Sequence, residues 1–177
     1  MTTFLLMRHA QPDFSGLERL NAAGWPVDIA PLAPVGERQV ADQVNKIVEF
    51  DPQIVIASPV TRALHTAALL LTELHVPLKV EFDLYDWLPD IGLQRLTMDE
   101  LRARQSEFNS LKGEWPVGET RLWESASSMR QRVLAVLGKY LGYSRVLAVC
   151  HQEPIRVVTG ASEVGLAAIV RLELPSS

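Results

Sequence analysis

Short apolar segments that stop abruptly at polar residues are the feature that most constrains the fold of this chain. They cover residues 4–7, 53–57, 77–82, 145–150 and 166–174. Apolar residues at helical spacing fill much of the sequence between them, over 34–50, 58–74, 98–109, 122–141 and 154–159. Buried strands that alternate with helices predict an α/β fold, a single-domain three-layer α/β/α sandwich. Its sheet is expected to be mostly parallel with helices on both faces, and the last strand is a candidate for an edge.

Local signals refine this outline at two places. Ser58 and Pro59 follow the second strand, and these residue types predict the N-cap and first position of the next helix. Residues 10–33 are rich in Pro, Gly, Asp and Asn, which is typical of a long functional loop.

Composition narrows the class of protein. The 177 residues fit one domain, expected over 1–177, and 47% of them are hydrophobic. The net charge of −4 and the absence of any Lys/Arg run argue against a nucleic-acid partner. No apolar stretch suits a membrane span, and we expect no signal peptide from the first residues. With a single cysteine, Cys150, we expect a cytoplasmic monomer or homodimer without an internal disulfide.

Residues with phosphate chemistry follow three of the predicted strands. Arg8 and His9 follow the first, Ser58 and Arg62 the second, and His151 the fourth. The carboxyl ends of parallel strands share one edge of a sheet, where ligands bind. An arginine fork matches phosphate oxygens, and a histidine serves as nucleophile or proton donor. The pattern predicts a phosphoryl-transfer site without a metal ion or other cofactor, since no His or Cys spacing is typical of a metal site.

The same residues stand in blocks that resemble a known family. The segment 6–10, Leu-Met-Arg-His-Ala, is similar to the Arg-His-Gly motif of the histidine phosphatase superfamily, the phosphoglycerate mutase-like proteins of branch 1. Four further blocks resemble that family in order, at residues 31–41, 57–67, 118–120 (Gly118-Glu119-Thr120) and 146–156. Five weak matches in the family's order, over nearly the whole chain, are together specific.

The resemblance implies a role for each residue. His9 would attack phosphorus and become phosphohistidine, while Arg8, Arg62 and His151 would hold the phosphoryl oxygens. Asp86 stands where this branch carries the acid that protonates the leaving oxygen, and Glu153 is a second candidate. Gln11, Ser58 and Gln152 are expected to help bind the phosphate or the substrate. The substrate would be a phosphorylated small molecule or a phosphoprotein.

Departures from the family's pattern keep other functions open. Ala10 and Gln152 each replace a glycine beside a histidine, and Asp86 replaces a more common Glu. The alternatives are a phosphoprotein (phosphohistidine) phosphatase, a mutase-like phosphotransferase, and a degenerate member that binds a phosphorylated ligand without turnover.

Asp86 also fits an ordinary loop carboxylate, and Cys150 fits a buried apolar residue better than a partner of His151. Four tryptophans are candidates either for a substrate cleft or for scaffold packing: Trp25, Trp87, Trp115 and Trp123.

Overall fold

The computed structural model of the chain describes residues 1–16, 25–94, 96–119 and 121–175. Residues 17–24 of the predicted loop, Thr120 of the fourth family block and the side chain of Trp25 lie outside the described residues. No helix within the described ranges is long and apolar enough to cross a membrane.

The described strands form a five-stranded mixed sheet. They are β1 (Thr2–Arg8), β2 (Ile54–Ala57), β3 (Leu78–Val80), β4 (Arg145–Cys150) and β5 (Ile169–Leu174), in the order β3-β2-β4-β1-β5. All neighbours are parallel except β5, which runs antiparallel to β1 at one edge. This confirms the predicted fold class, including the edge position of the last strand. Arg8 pairs with Cys150, and Val149 pairs with Ala57, so the carboxyl ends of β1, β4 and β2 lie level.

Seven helices connect these strands within the described ranges. They are α1 (Trp25–Asp28), α2 (Pro34–Ala41), α3 (Val44–Phe50), α4 (Thr61–Leu71), α5 (Met98–Ser110), α6 (Ala126–Gly138) and α7 (Gln152–Thr159). A 3₁₀ turn covers Phe82–Leu84. The single helix predicted over 34–50 is therefore two helices. The backbone N–H of Gln43 donates to the carbonyl of Val40 at 2.9 Å, a turn tighter than an α-helical one, and the helix is interrupted there.

The predicted start of α4 was wrong by two residues. The helix begins at Thr61 with Val60 at its N-cap, and Ser58 does not cap it. The Ser58 hydroxyl lies instead 2.8 Å from Nε2 of His151, a long-range contact that local sequence does not reveal.

Alternate residues of the strands pack into two cores on opposite faces of the sheet. Phe4, Leu6, Ile54, Ile56, Val146 and Ala148 pack on the side of α5, α6 and α7. Leu5, Met7, Val55, Ala57, Leu147 and Val149 pack on the side of α2, α3 and α4. The sheet is thus covered on both faces, which explains why its central strands are continuously apolar.

The helix α2 and its N-cap residue support the residues that follow His9. Gln39 Oε1 accepts a hydrogen bond from the backbone N–H of Gln11 at 2.9 Å, and the Ala33 N–H donates to the Gln11 carbonyl at 2.9 Å. A Cβ atom at Gly36 would lie 2.3 Å from that same carbonyl oxygen. Only glycine therefore lets α2 approach the loop so closely.

We expect Gly36→Ala to lower the free energy of unfolding by about 1–3 kcal/mol, because its Cβ must push backbone atoms apart. Gly138→Ala in α6 is the matched control, since a Cβ there meets no atom within 4 Å. Urea denaturation of both variants and the parent checks the difference. Equal stability of the two variants would contradict the close approach.

Candidate active site

His9 lies at the level carboxyl edge of the sheet. Its backbone N–H donates to the Cys150 carbonyl at 2.9 Å, and its own carbonyl accepts from Ala167 at 3.3 Å. The strand β1 ends at Arg8, and His9 is the residue that follows it. Backbone hydrogen bonds therefore hold His9 through both its N–H and its carbonyl, independently of its side-chain contacts.

The partners of the His9 ring determine its tautomer. Nδ1 lies 2.8 Å from the carbonyl oxygen of Ala10, which can only accept, so Nδ1 carries the hydrogen. Nε2 accepts a hydrogen bond of 3.1 Å from Nε of Arg62, which can only donate. Burial lowers the pKa of His9 to about 4, although the hydrogen bond to Ala10 raises it, and the Arg62 charge lowers it further. At neutral pH, Nε2 thus presents a lone pair.

Arg62, in the first turn of α4, joins His9 to two carboxylates. Besides its bond to His9, NH2 donates to Asp86 Oδ2 at 2.9 Å. NH1 donates to the Val27 carbonyl at 3.3 Å and lies 3.6 Å from Asp28 Oδ1. The side chain of Arg62 is 6% exposed, and each nitrogen of this nearly buried cation has a partner. A guanidinium has five N–H donors, so the second hydrogens of NH1 and NH2 remain for a phosphoryl oxygen.

His151 is fully buried beside the His9 ring, with 5.2 Å between the ring centroids. The Ser58 hydroxyl accepts from the Val60 N–H at 3.3 Å and can donate its own hydrogen to His151 Nε2 at 2.8 Å. The ring hydrogen then stands on Nδ1, which lies 3.4 Å from Asp86 Oδ2 but makes no hydrogen bond. Burial lowers the pKa of His151 to about 3, against the charge of Asp86 that raises it. A buried, unpartnered Nδ1 is available to a ligand.

Asp86 lies between Arg62 and His151, in the segment that follows β3. Its Oδ1 accepts from the Trp87 N–H at 2.9 Å, and its side chain is 37% exposed. Burial alone would raise the pKa of Asp86, but the positive charge of His151, present once that ring is protonated in acid, and the charge of Arg62 outweigh it and lower the pKa to about 2. The carboxyl is therefore ionised in the free site.

Glu153 has different partners. Arg156 NH1 donates to both of its oxygens, at 2.9 and 3.1 Å, and the Gln152 amide donates at 3.3 Å. Of the two acids expected from sequence, Asp86 contacts Arg62, whereas Glu153 belongs to an ion pair on α7.

The remaining predicted residues divide into two groups. Arg8 NH1 donates to Gln152 Oε1 at 2.8 Å and to the Val164 carbonyl at 2.7 Å, which leaves its buried Nε without a partner. Gln11 points its amide at the Pro12 carbonyl, 3.2 Å away. Within the described part of the chain, no hydrogen bond joins the Gln11 side chain to the two histidines or to Arg62. Arg8 and Gln152 thus form a pair, whereas Gln11 stands apart.

Arg132 of α6 is a residue that the sequence did not single out. NH1 donates to the carbonyls of Asp83 and Tyr85 at 2.6 and 3.0 Å, and NH2 to that of Asp86 at 3.1 Å. Its guanidinium lies 3.6 Å from the centre of the Tyr85 ring and makes paired bonds of 2.6 and 2.8 Å to Glu124. This buried ion pair fixes the backbone that carries Asp86. A lone arginine on a helix gives no local signal of such a role.

The fourth family block and the tryptophans are two further features from the sequence analysis, and their exposure distinguishes between the possible roles. Gly118 and Glu119 of the fourth family block are exposed, and the buried acid of this region is Glu124, five residues later. Trp87 and Trp123 belong to the core beside Phe108, where scaffold packing accounts for them. Trp115 stacks on Trp123 at 4.0 Å between ring centroids, which also indicates packing.

Cys150 is buried in the core on the side of α5 to α7. Burial raises the pKa of its thiol to about 12, so it is protonated at neutral pH. Its environment is that of a small apolar residue.

Comparison with known proteins places these residues in a family. The model of the histidine phosphatase superfamily (branch 1) matches residues 4–176. An uncharacterized phosphatase, PhoE of Bacillus subtilis (strain 168), is 34% identical over 83 residues. That match covers 47% of this chain and 40% of the relative, so this chain matches less than half of the relative's length.

Solved structures share the fold. The protein YhfR of Bacillus stearothermophilus superposes with a TM-score of 0.75 at 18% identity, over 98% of this chain and 92% of its own. A mycobacterial glucosyl-3-phosphoglycerate phosphatase, solved with VO3, gives a TM-score of 0.73 at 18% identity, over 98% and 93% of the two chains. The family model and the fold agree over nearly the whole chain, and this protein belongs to branch 1 of the histidine phosphatase superfamily.

Proposed function

We propose that this protein hydrolyses phosphomonoesters through a phosphohistidine on Nε2 of His9. One observation carries the proposal: a buried, neutral histidine presents the lone pair of Nε2 beside Arg62, with the unpartnered Nδ1 of His151 close by. A nucleophile with a fixed tautomer, next to donors that suit phosphoryl oxygens, is what this reaction requires.

In the first half-reaction, the N–H of Arg62 Nε turns from His9 Nε2 to a phosphoryl oxygen. The freed Nε2 lone pair of His9 then attacks phosphorus, and the ester P–O bond breaks. Arg62, Arg8 through its unpartnered Nε, and His151 through Nδ1 donate to the phosphoryl oxygens. Asp86 delivers a proton to the leaving oxygen.

Asp86 must acquire that proton, because it is ionised in the free site. The phosphoryl oxygens compete with its carboxylate for Arg62, and a bound anion removes the charge that keeps the pKa of Asp86 low. A phosphomonoester loses its second proton near pH 6, so its monoanion brings the required proton with it. Substrate binding and protonation of Asp86 are thus coupled.

In the second half-reaction, water attacks the phosphorus of phosphohistidine and its proton passes to the Asp86 carboxylate. The P–N bond breaks, and the electron pair returns to Nε2 of His9. Ser58 and Gln152 act through other residues, since the first holds the ring of His151 and the second holds Arg8.

His9→Ala is expected to abolish phosphate release from p-nitrophenyl phosphate, because the attacking lone pair is removed. His75→Ala, on an exposed residue, is the control and should keep the parent rate. Quenching in alkaline denaturant during turnover should recover protein-bound phosphate that is stable to base and released by acid, on the parent protein only. No turnover by the parent on a panel of phosphoesters would favour the non-catalytic binding function instead.

Asp86→Asn should slow esters of poor leaving groups by ~10²-fold or more, but p-nitrophenyl phosphate much less, because a good leaving group needs no proton. Glu153→Gln should either leave the rates on both esters unchanged or lower both by the same factor. Rates on an alkyl and an aryl phosphate for each variant check this. The opposite pattern would transfer the acid role to Glu153.

The neutral state of His9 and His151 makes stability depend on pH. Their folded-state pKa values, about 4 and about 3, lie below the ordinary 6.5, so below pH 6.5 the unfolded chain binds more protons. Their contribution to the free energy of unfolding is full above pH 6.5 and is lost as the pH falls toward 4. We expect the free energy of unfolding to fall by about 2–4 kcal/mol between pH 7 and pH 5.

Urea denaturation of the parent and of His9→Asn at both pH values measures this loss. The variant should show about half of it, because one of the two buried histidines is gone. The lowered pKa of Asp86 acts only below about pH 4 and does not overlap this window. A stability that does not change between pH 7 and 5 would show that the histidines are not held neutral.

A further inference from the structure

Asp28, the last residue of α1, is a carboxylate at the site that no sequence motif indicated. Its Oδ1 lies 3.6 Å from NH1 of Arg62, and the preceding carbonyl, of Val27, accepts from the same nitrogen at 3.3 Å. The Asp28 side chain is 51% exposed, whereas that of Arg62 is 6% exposed. Asp28 therefore lies where the buried cation meets solvent.

Exposure indicates which side of the site is open to a substrate. Nε of Arg62 bonds to the nucleophilic nitrogen of His9, NH2 donates to Asp86, and NH1 lies 3.6 Å from Asp28. His9 and Arg62 are nearly buried, whereas the side chains of Asp86 and Asp28 are 37% and 51% exposed. An in-line displacement puts the leaving oxygen opposite the attacking nitrogen, so an alcohol that leaves toward solvent would pass the two carboxylates.

The two carboxylates influence each other through their charges. Burial raises the pKa of Asp28, and the charge of Asp86 raises it further, while Arg62 lowers it. A phosphoryl group on Arg62 would take the counter-ion of both. Any additional negative charge on the substrate would then lie beside carboxylates without a neighbouring cation.

The other arginines of the site are also opposed by acids. Burial lowers the pKa of Arg8, and the charges of Asp86, Glu153 and Glu163 raise it, so these acids lie within electrostatic reach of Arg8. Arg156 is held by Glu153 at 2.9 Å. Acids therefore offset part of the positive charge of both arginines, which weakens their attraction for a second anionic group.

From this arrangement we propose that Asp28 determines specificity, favouring phosphomonoesters whose alcohol is neutral or carries an ammonium group near the phosphate. Esters with a carboxylate at that position are disfavoured. An ammonium or hydroxyl group can donate to Asp28, whereas a carboxylate is repelled by it. This inference rests on the proposed hydrolase function, and it concerns the substrate of the same site.

Three two-carbon esters that differ only in the group at the second carbon test the proposal. They are O-phosphoethanolamine, 2-hydroxyethyl phosphate and phosphoglycolate, assayed for kcat/KM with the parent, Asp28→Asn and Asp42→Asn. Dividing each variant's value by the parent's cancels the intrinsic reactivity of the ester. The Asp42→Asn control removes the same charge from the exposed residue that follows α2.

For Asp28→Asn, the variant-to-parent ratio of kcat/KM should be about tenfold higher with phosphoglycolate than with 2-hydroxyethyl phosphate. With O-phosphoethanolamine, this ratio should be lower than with 2-hydroxyethyl phosphate. Asp42→Asn should give one ratio for all three esters. Asp28→Glu, which keeps the charge, should retain the parent's order of preference and controls for folding of α1.

Two results overturn the inference, and they are distinguishable. If Asp28→Asn changes all three esters by the same factor, Asp28 has no role in charge selection, although the hydrolase function stands. If no His9-dependent phosphate release is seen with these esters or with p-nitrophenyl phosphate, the hydrolase function fails and the inference fails with it.

Discussion

The rest of the site depends on the hydrogen bonds that the Arg62 guanidinium makes. This nearly buried cation donates to the nucleophilic nitrogen of His9 and to the carboxylate of Asp86. Its NH1 donates to the Val27 carbonyl in α1. Arg62 holds this position because α4 starts directly after β2, and because Thr66 bonds both to the Arg62 carbonyl at 2.8 Å and to the N–H of Ala10 at 3.1 Å. The same helical turn thus places the cation and the loop that follows His9.

Charge in this site is balanced before any substrate arrives. Two buried histidines are neutral, and the positive charge of Arg62 is opposed by Asp86 and Asp28. In the proposed reaction, a phosphate anion would therefore bind beside carboxylates rather than in an uncompensated positive pocket. Its negative charge would raise the pKa of Asp86, which couples substrate binding to the protonation of that acid.

The parts of the site that sequence could predict are those set by strand ends. His9, Arg62 and His151 each follow an apolar strand within a few residues, so the rule that carboxyl ends share an edge brought them together. The parts that sequence could not predict depend on contacts across long separations. The Ser58 hydroxyl has two uses, capping a helix or holding His151, and only the fold decides between them. The break between α2 and α3 likewise carries no Pro or Gly that would announce it.

The two carboxylates on Arg62 differ most in how firmly they are held. Asp86 sits on a backbone to which Arg132 donates at three carbonyls, and Arg132 is itself paired with a Glu124 that is 5% exposed. A buried ion pair gains little net stability over an apolar pair, so its value here lies in the geometry it imposes on Asp86. Asp28 belongs to a four-residue helix and faces solvent over half of its side chain. A proton donor requires a fixed position, whereas a residue that selects among alcohols can tolerate movement. The different supports of the two residues therefore agree with the separate roles assigned to them.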